Sequence, residues 1–228
     1  TLELRAPCHW FSAELLRVGP GVEQHWSRMV DALNVAMGGF LGLFAGGFKP
    51  GLEVWGVVSG PLQFVAFAGL LVWAARPVLS TAGIGGLAML LPIQFSVAGY
   101  FMAGRIDWHP QNFIGTVLAI ALVIRALAPV DGERFPARIL GLGLAWMLWG
   151  NPECFIAIAA GIAVIGLTWT WHGDQGIAER MEAGARWLAV GAAAVALIEQ
   201  GPWQILVLSH EEVSLFHAAL FAMHWAFW

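Results

Sequence analysis

The stretch AGRIDWHPQNF, residues 103–113, puts Arg105, Asp107, His109 and Gln111 at alternate positions in a chain that otherwise avoids charge. Pro110 suits the first turn of a helix beginning there, because that position needs no backbone donor. The proline also biases His109 toward an extended backbone. Asp107 thus falls just before a helix N-terminus, whose positive dipole end stabilises an anion. A carboxylate beside an imidazole at such a place could bind a hard divalent cation, act as a base, or orient an anionic leaving group. The plainer reading is a solvated loop with a helix-capping acid.

Two further stretches carry the same interest. HWSRMVD holds His25, Arg28 and Asp31, and the planar guanidinium of Arg28 could take a phosphate. Its alternative is an interfacial anchor, with Trp26 and Arg28 at the headgroups. LWGNPECF places Glu153 alone among apolar residues at a Gly-Asn-Pro break. A carboxylate buried there must be paired, hydrogen-bonded or protonated. The alternative is an acid near the N-cap of a helix starting at about 154. Glu199 lies mid-span before Gly201 and Pro202, where a helix could break at a wet cavity. His217 and His224 share a helix face, a spacing open to haem or chlorophyll-type ligation but more ordinary as helix packing.

The elements that must hold these residues are membrane helices. The 228 residues are 59% hydrophobic and 11% charged, with a mean hydropathy of +0.72; soluble domains carry about a quarter charged residues. Long apolar runs recur at roughly 52–75, 80–103, 111–128, 138–150, 154–171, 187–208 and 214–228. The sequence therefore predicts an all-α, polytopic transmembrane helix bundle of about 7–8 membrane segments. An interfacial segment over 1–28 precedes a transmembrane domain over 29–228. Residues 29–47 read as an in-plane helix, a re-entrant hairpin or a short span. The run from 138 to 150 is too short to cross about 30 Å of hydrocarbon alone, so a broken helix through GNPE is expected. The mixed-charge run from Asp174 to Arg186 reads as a solvated juxtamembrane helix.

Basic residues set the orientation. Arg76, the Arg125–Arg138 loop and the Arg180–Arg186 stretch fall on one side, the cytoplasmic one by the positive-inside rule. Residues 104–110 and the GNPE turn then share the opposite, outer face. No basic stripe invites nucleic acid. Cys8 and Cys154 show no metal-type spacing. The first residues lack the pattern of a signal peptide, and the apolar run at Trp228 suggests a C-terminus that continues or is trimmed.

Together HWSRMVD, AGRIDWHPQNF and LGLGLAWMLWGNPECF resemble a bacterial group of GT-C-type membrane glycosyltransferases, over roughly residues 22–170. That group carries an H-W-S-R-[LM]-V-D stretch, a G-R-I-D-H-H-[NA]-x-Q motif and a later G-L-E segment, in a layout similar to oligosaccharyltransferase catalytic subunits. The resemblance implies a sugar donor linked to a polyprenyl phosphate and an active site on the outer face of the bacterial inner membrane. Asp107 and His109 match the Asp and second His of the middle motif, the positions of a divalent metal such as Mg or Mn. His25, Arg28 and Asp31 match the first stretch, and Glu153 matches the Glu of the third. Gln111 stands one residue closer to the His than the family's Gln. Trp108 replaces the first His of the pair, and the acidic loop after the family's first helix is missing. The resemblance is thus to a truncated or degenerate member.

Two functions follow. As an enzyme, the chain would use Asp107, His109 and Glu153 in catalysis, with His25, Arg28, Asp31, Arg105 and Gln111 binding the donor and its phosphate. As a non-catalytic accessory subunit, it would keep the scaffold and dock into a larger membrane complex, pigment- or haem-protein assemblies included. Membrane lipid is a partner in both.

Overall fold

In a computed structural model, the protein is described over residues 29–104, 109–129, 132–204 and 213–228, and these contain helices and no strand. Helix α1 (Met29–Ala45) and α2 (Phe48–Ala75) form an antiparallel hairpin. Its turn is closed by Gly47, which donates to the Gly42 carbonyl at 2.9 Å. Two short pieces follow, α3 (Thr81–Leu90) and α4 (Phe95–Ala98), then α5 (His109–Leu127), α6 (Ala137–Gly150), α7 (Cys154–His172), α8 (Gln175–Gln204) and α9 (Leu215–Phe227).

Four of these helices, α2, α5, α7 and α8 as far as Gly201, are long and apolar enough to cross a membrane, and the chain is a membrane protein. Helix α5 is the central one and packs on α2, α6 and α7. In its most apolar window 56% is buried, against 22% in α2 and α7, whose outward faces carry Val65, Ile156 and Leu167 to lipid. Small residues set the closest approaches. A Cβ at Gly141 would stand 2.6 Å from the Cβ of Trp187, so α6 meets α8 there with no room for a side chain. A Cβ at Gly115 would stand 2.6 Å from Cys154 Sγ, which brings the start of α7 against α5.

The span expected over 80–103 is not one helix. It breaks into α3, a 3-10 turn at Leu91–Ile93, α4 and a second 3-10 turn at Gly99–Phe101. The cause is local: Pro92 removes a backbone donor, and α3, which carries Gly83, Gly85 and Gly86 without interruption, ends just before it at Leu90. The charged run from Asp174 to Arg186 has the solvated helix face expected, with Asp174, Glu179 and Arg186 exposed, and it lies at the start of α8, which begins at Gln175 and continues into the span. Helix α6 does end at Gly150, followed by an extended Asn151, so the Gly-Asn-Pro break expected there is present. Its 14 residues extend only about 21 Å. In α8, Gly201 takes φ 67 and ψ 172, a kink immediately before Pro202.

The helices run so that polar groups gather at two ends. Arg125 and Gln111 are separated along α5 by about 20 Å. Arg76, Arg125, Arg134, Arg138, Arg180 and Arg186 belong to one end, because Arg125 reaches the Trp73 carbonyl, Arg180 the Ala126 carbonyl, and Arg138 the ring of Trp187. The start of α5, the α6–α7 junction and the start of α1 meet at the other end, where the Met29 side chain lies over Gly150 and Gln111 bonds to Gln63. We call these the arginine end and the amide end.

Candidate functional site

The amide end is built from helix termini. The segment before α5 is pinned to α2: Gly104 N–H donates to the Gly56 carbonyl at 2.9 Å, and Phe101, buried, stacks on Phe67 with centroids 5.3 Å apart. Tyr100 stacks on His109 at 4.6 Å, and Phe113 packs against Tyr100 and Phe101. Aromatic pairing of this kind adds roughly 1 kcal/mol beyond the area buried. Both flanks of the 105–108 stretch are therefore fixed, and His109 opens α5 with Pro110 fully buried in its first turn.

Beside them runs a chain of amides. Gln111, buried, donates from Nε2 to Gln63 Oε1 at 2.8 Å. Asn151, also buried, donates from Nδ2 to Asn112 Oδ1 at 2.5 Å. Asn112 in turn donates from Nδ2 to Glu153 Oε2 at 3.2 Å, and Asn151 Oδ1 accepts the Glu153 backbone N–H at 2.9 Å. The thiol of Cys154 lies 3.4 Å from Asn112 Oδ1. The α6–α7 joint is thus stitched to the first turn of α5 by side chains alone. An amide can donate and accept at once, which is why Asn112 can bridge two partners.

Glu153 is not the buried carboxylate that its apolar neighbours suggested. It is exposed, because the Asn-Pro break carries it to the end of the bundle, where it precedes α7 and faces that helix's positive dipole end. Among the described residues, the buried carboxylate of this end is Glu199, 3% exposed, which accepts from Trp149 Nε1 at 2.5 Å just before the Gly201 kink. His217 is also buried: it caps α9, accepting the Ser214 backbone N–H at Nδ1 over 3.3 Å, and its ring meets Phe155. His224 lies seven residues on, against Trp228.

Of the site residues expected from sequence, the structure brings His109, Gln111 and Glu153 to this one end. Asp31 lies half-buried in the first turn of α1, which starts there as well. His25, Arg28, Arg105 and Asp107 lie outside the described residues. Among the described residues, no three His, Cys, Asp or Glu side chains gather as a metal-type cluster. Sequence reasoning missed Asn112, Asn151, Gln63 and Tyr100. A signal existed for two of them: Asn112 follows Gln111 at a helix start, and Asn151 stands inside the Gly-Asn-Pro break.

No family model, curated protein or solved structure matches this chain.

Proposed function

We propose that the protein is a GT-C-like membrane protein of about seven to eight membrane segments that transfers a sugar from a polyprenyl-phosphate-linked donor. The reaction would take place at the amide end, on the outer face of a bacterial inner membrane. The observation that carries this reading is the hydrogen-bonded joint of Asn112, Asn151 and Glu153. It holds the helix start that follows the Asp107–His109 motif against the α6–α7 break. The arginines at the far end favour the same orientation.

In the transfer, the bond from the sugar's anomeric carbon to the donor phosphate breaks as a bond to an acceptor oxygen forms. The acceptor's proton passes to a carboxylate, for which Asp107 and Glu153 are the candidates. Arg28 and Arg105 are the sequence's candidates for the phosphate and His25 and Asp31 for the rest of the donor, with Gln111 holding the start of α5 through Gln63. The residue types would suit a hard divalent cation, Mg or Mn: Asp107 and His109 would hold it, with the Glu153 carboxylate as a further oxygen donor. Such an ion would offset charge on the departing phosphate. Grooves between the apolar helices suit the prenyl chain.

The competing reading, a non-catalytic subunit, draws on the use of Glu153 as a structural tie to Asn112. Membranes containing the full chain, supplied with a polyprenyl-phosphate-linked hexose, separate the two. Release of polyprenyl phosphate by the unaltered protein, lost in Asp107→Asn and Glu153→Gln, supports the enzyme. Equal release in all three, at the level of membranes without the protein, leaves the subunit reading.

A further inference from the structure

The arginine end contains a cavity that the proposed reaction does not use. Its volume is about 180 Å³, and its walls include Arg125, Arg134, Arg180, Glu133, Phe135 and Pro136. One water needs roughly 15 Å³ of such volume, so the cavity admits a polyatomic group. Among the described residues, its walls carry three guanidiniums and one carboxylate. Arg125 is 4% exposed; it donates from NH1 to Glu133 at 2.6 Å and from NH2 to the Trp73 carbonyl at 2.9 Å. Its Nε is buried and has no partner among the described residues. Arg180 gives Nε to the Ala126 carbonyl at 2.8 Å, and its NH2 stands 3.9 Å from Asp174. Arg134 is exposed and makes no hydrogen bond or ion pair among the described residues. Val130 and Asp131, in the same loop, lie outside the described residues.

The depth of the cavity is marked by tryptophans. The guanidinium of Arg125 lies over the ring of Trp73 at 4.4 Å, and that of Arg138 over Trp187 at 4.8 Å. Indoles paired with arginines at a helix end are the arrangement found at headgroup level. Guanidiniums with unused donors are suited to phosphate oxygens, which they meet two at a time. Basic pockets between membrane helices bind anionic headgroups for this reason.

We propose that this cavity seats a phosphate group, held by Arg134 and Arg180 at its mouth and by the electrostatic field of Arg125 behind them. The phosphate would come from an anionic lipid headgroup or from free phosphate; the proposal does not depend on the reaction at the amide end.

Native mass spectrometry of the full chain in detergent tests it, with phosphatidylglycerol, phosphatidylcholine and inorganic phosphate as probes. Phosphatidylglycerol is expected to remain bound where phosphatidylcholine is lost. Arg134→Gln should weaken that binding about fivefold, the effect of one basic residue near the surface. Arg76→Gln removes an arginine of the same end that does not line the cavity, and should leave binding unchanged. If inorganic phosphate alone binds and is lost in Arg134→Gln, the seat stands and the source is free phosphate. Equal retention of the two lipids with no phosphate bound overturns the proposal. So does equal weakening by Arg134→Gln and Arg76→Gln, which marks a diffuse surface charge. Should Arg134→Gln fail to fold, Arg134→Lys keeps the charge, and the comparison of lipids on the unaltered protein decides alone.

Discussion

The two ends of the bundle solve the same problem with different chemistry. At the arginine end, full charges reach backbone: Arg125 bonds the Trp73 carbonyl in the last turn of α2, and Arg180 the Ala126 carbonyl in the last turn of α5. Those carbonyls have no partner within their own helices, and helix C-termini carry partial negative charge. At the amide end, where α5, α7 and α9 begin, neutral amides and carboxylates bond mainly to one another. A neutral amide costs far less to hold away from water than a charge does. The difference teaches that the arginine end is clamped by cations on helix termini, whereas the amide end is a linked set of groups that can exchange partners. An end that can exchange partners is the better place for a substrate.

The largest effect should come from the clamp. Arg125→Met removes the bond to Trp73, the pair with Glu133 and the stack on the indole. Glu133 is half-exposed and can hydrate, so the expected loss is about 3 kcal/mol, at the low end for a broken buried pair. Thermal unfolding of the detergent-solubilised chain measures it. Arg125→Lys should recover only part, because one ammonium nitrogen must replace the two guanidinium nitrogens that reach Glu133 and the Trp73 carbonyl separately. A loss below about 1 kcal/mol in Arg125→Met, the range of an exposed ion pair, would break the contrast between the ends. Next comes Trp149→Phe, which takes the indole donor from buried Glu199. The expected loss is about 2 kcal/mol, since hydrogen bonds to carboxylates are stronger than neutral ones. Glu199→Gln should lose less than Trp149→Phe, as an amide oxygen can still accept the indole N–H.

How much of this could be read from the chain follows from what each signal averages over. Long apolar runs announce α2, α5 and α7 because twenty apolar residues have few other homes. The 80–103 run misled because hydropathy is blind to backbone: one proline barely lowers the average of an apolar run, yet Pro92 ends α3 at Leu90. Hydropathy was equally blind to the extent of α8, where charged residues from Gln175 onward continue the same helix as the span. At the site, Gln111 and Glu153 were visible as polar residues out of place. The Gln63–Gln111 and Asn112–Asn151 pairs join residues 48 and 39 positions apart, and nothing local announces such a partner. Arg125 was legible as a topology signal and not as a buried clamp, because two of its partners, a backbone carbonyl and a ring of α2, lie 52 residues away.

Asn112→Ala would sharpen the contrast from the amide side. It withdraws an acceptor from buried Asn151 and a donor from Glu153, so a loss of about 1.5 kcal/mol is expected, read by the same unfolding measurement. The loss should be smaller than that of Arg125→Met, because amides and water can partly replace the missing partner at this end.

Glu153→Gln should have the smallest effect on stability and the most informative. The side chain is exposed, and a glutamine oxygen can accept the Asn112 bond just as the carboxylate does. What is lost is one negative charge ahead of α7, near a helix N-terminus, where a carboxylate adds roughly 0.5 kcal/mol at a surface position. The unfolding midpoint should therefore stay close to that of the unaltered protein, well above Asn112→Ala. If sugar transfer nonetheless stops, geometry has been kept while charge was removed, and the carboxylate's part is chemical. If Glu153→Gln unfolds as readily as Asn112→Ala, the charge itself holds the α6–α7 joint to α5. Glu153 would then belong with Arg125 as a clamp, and the two ends would differ in charge sign alone.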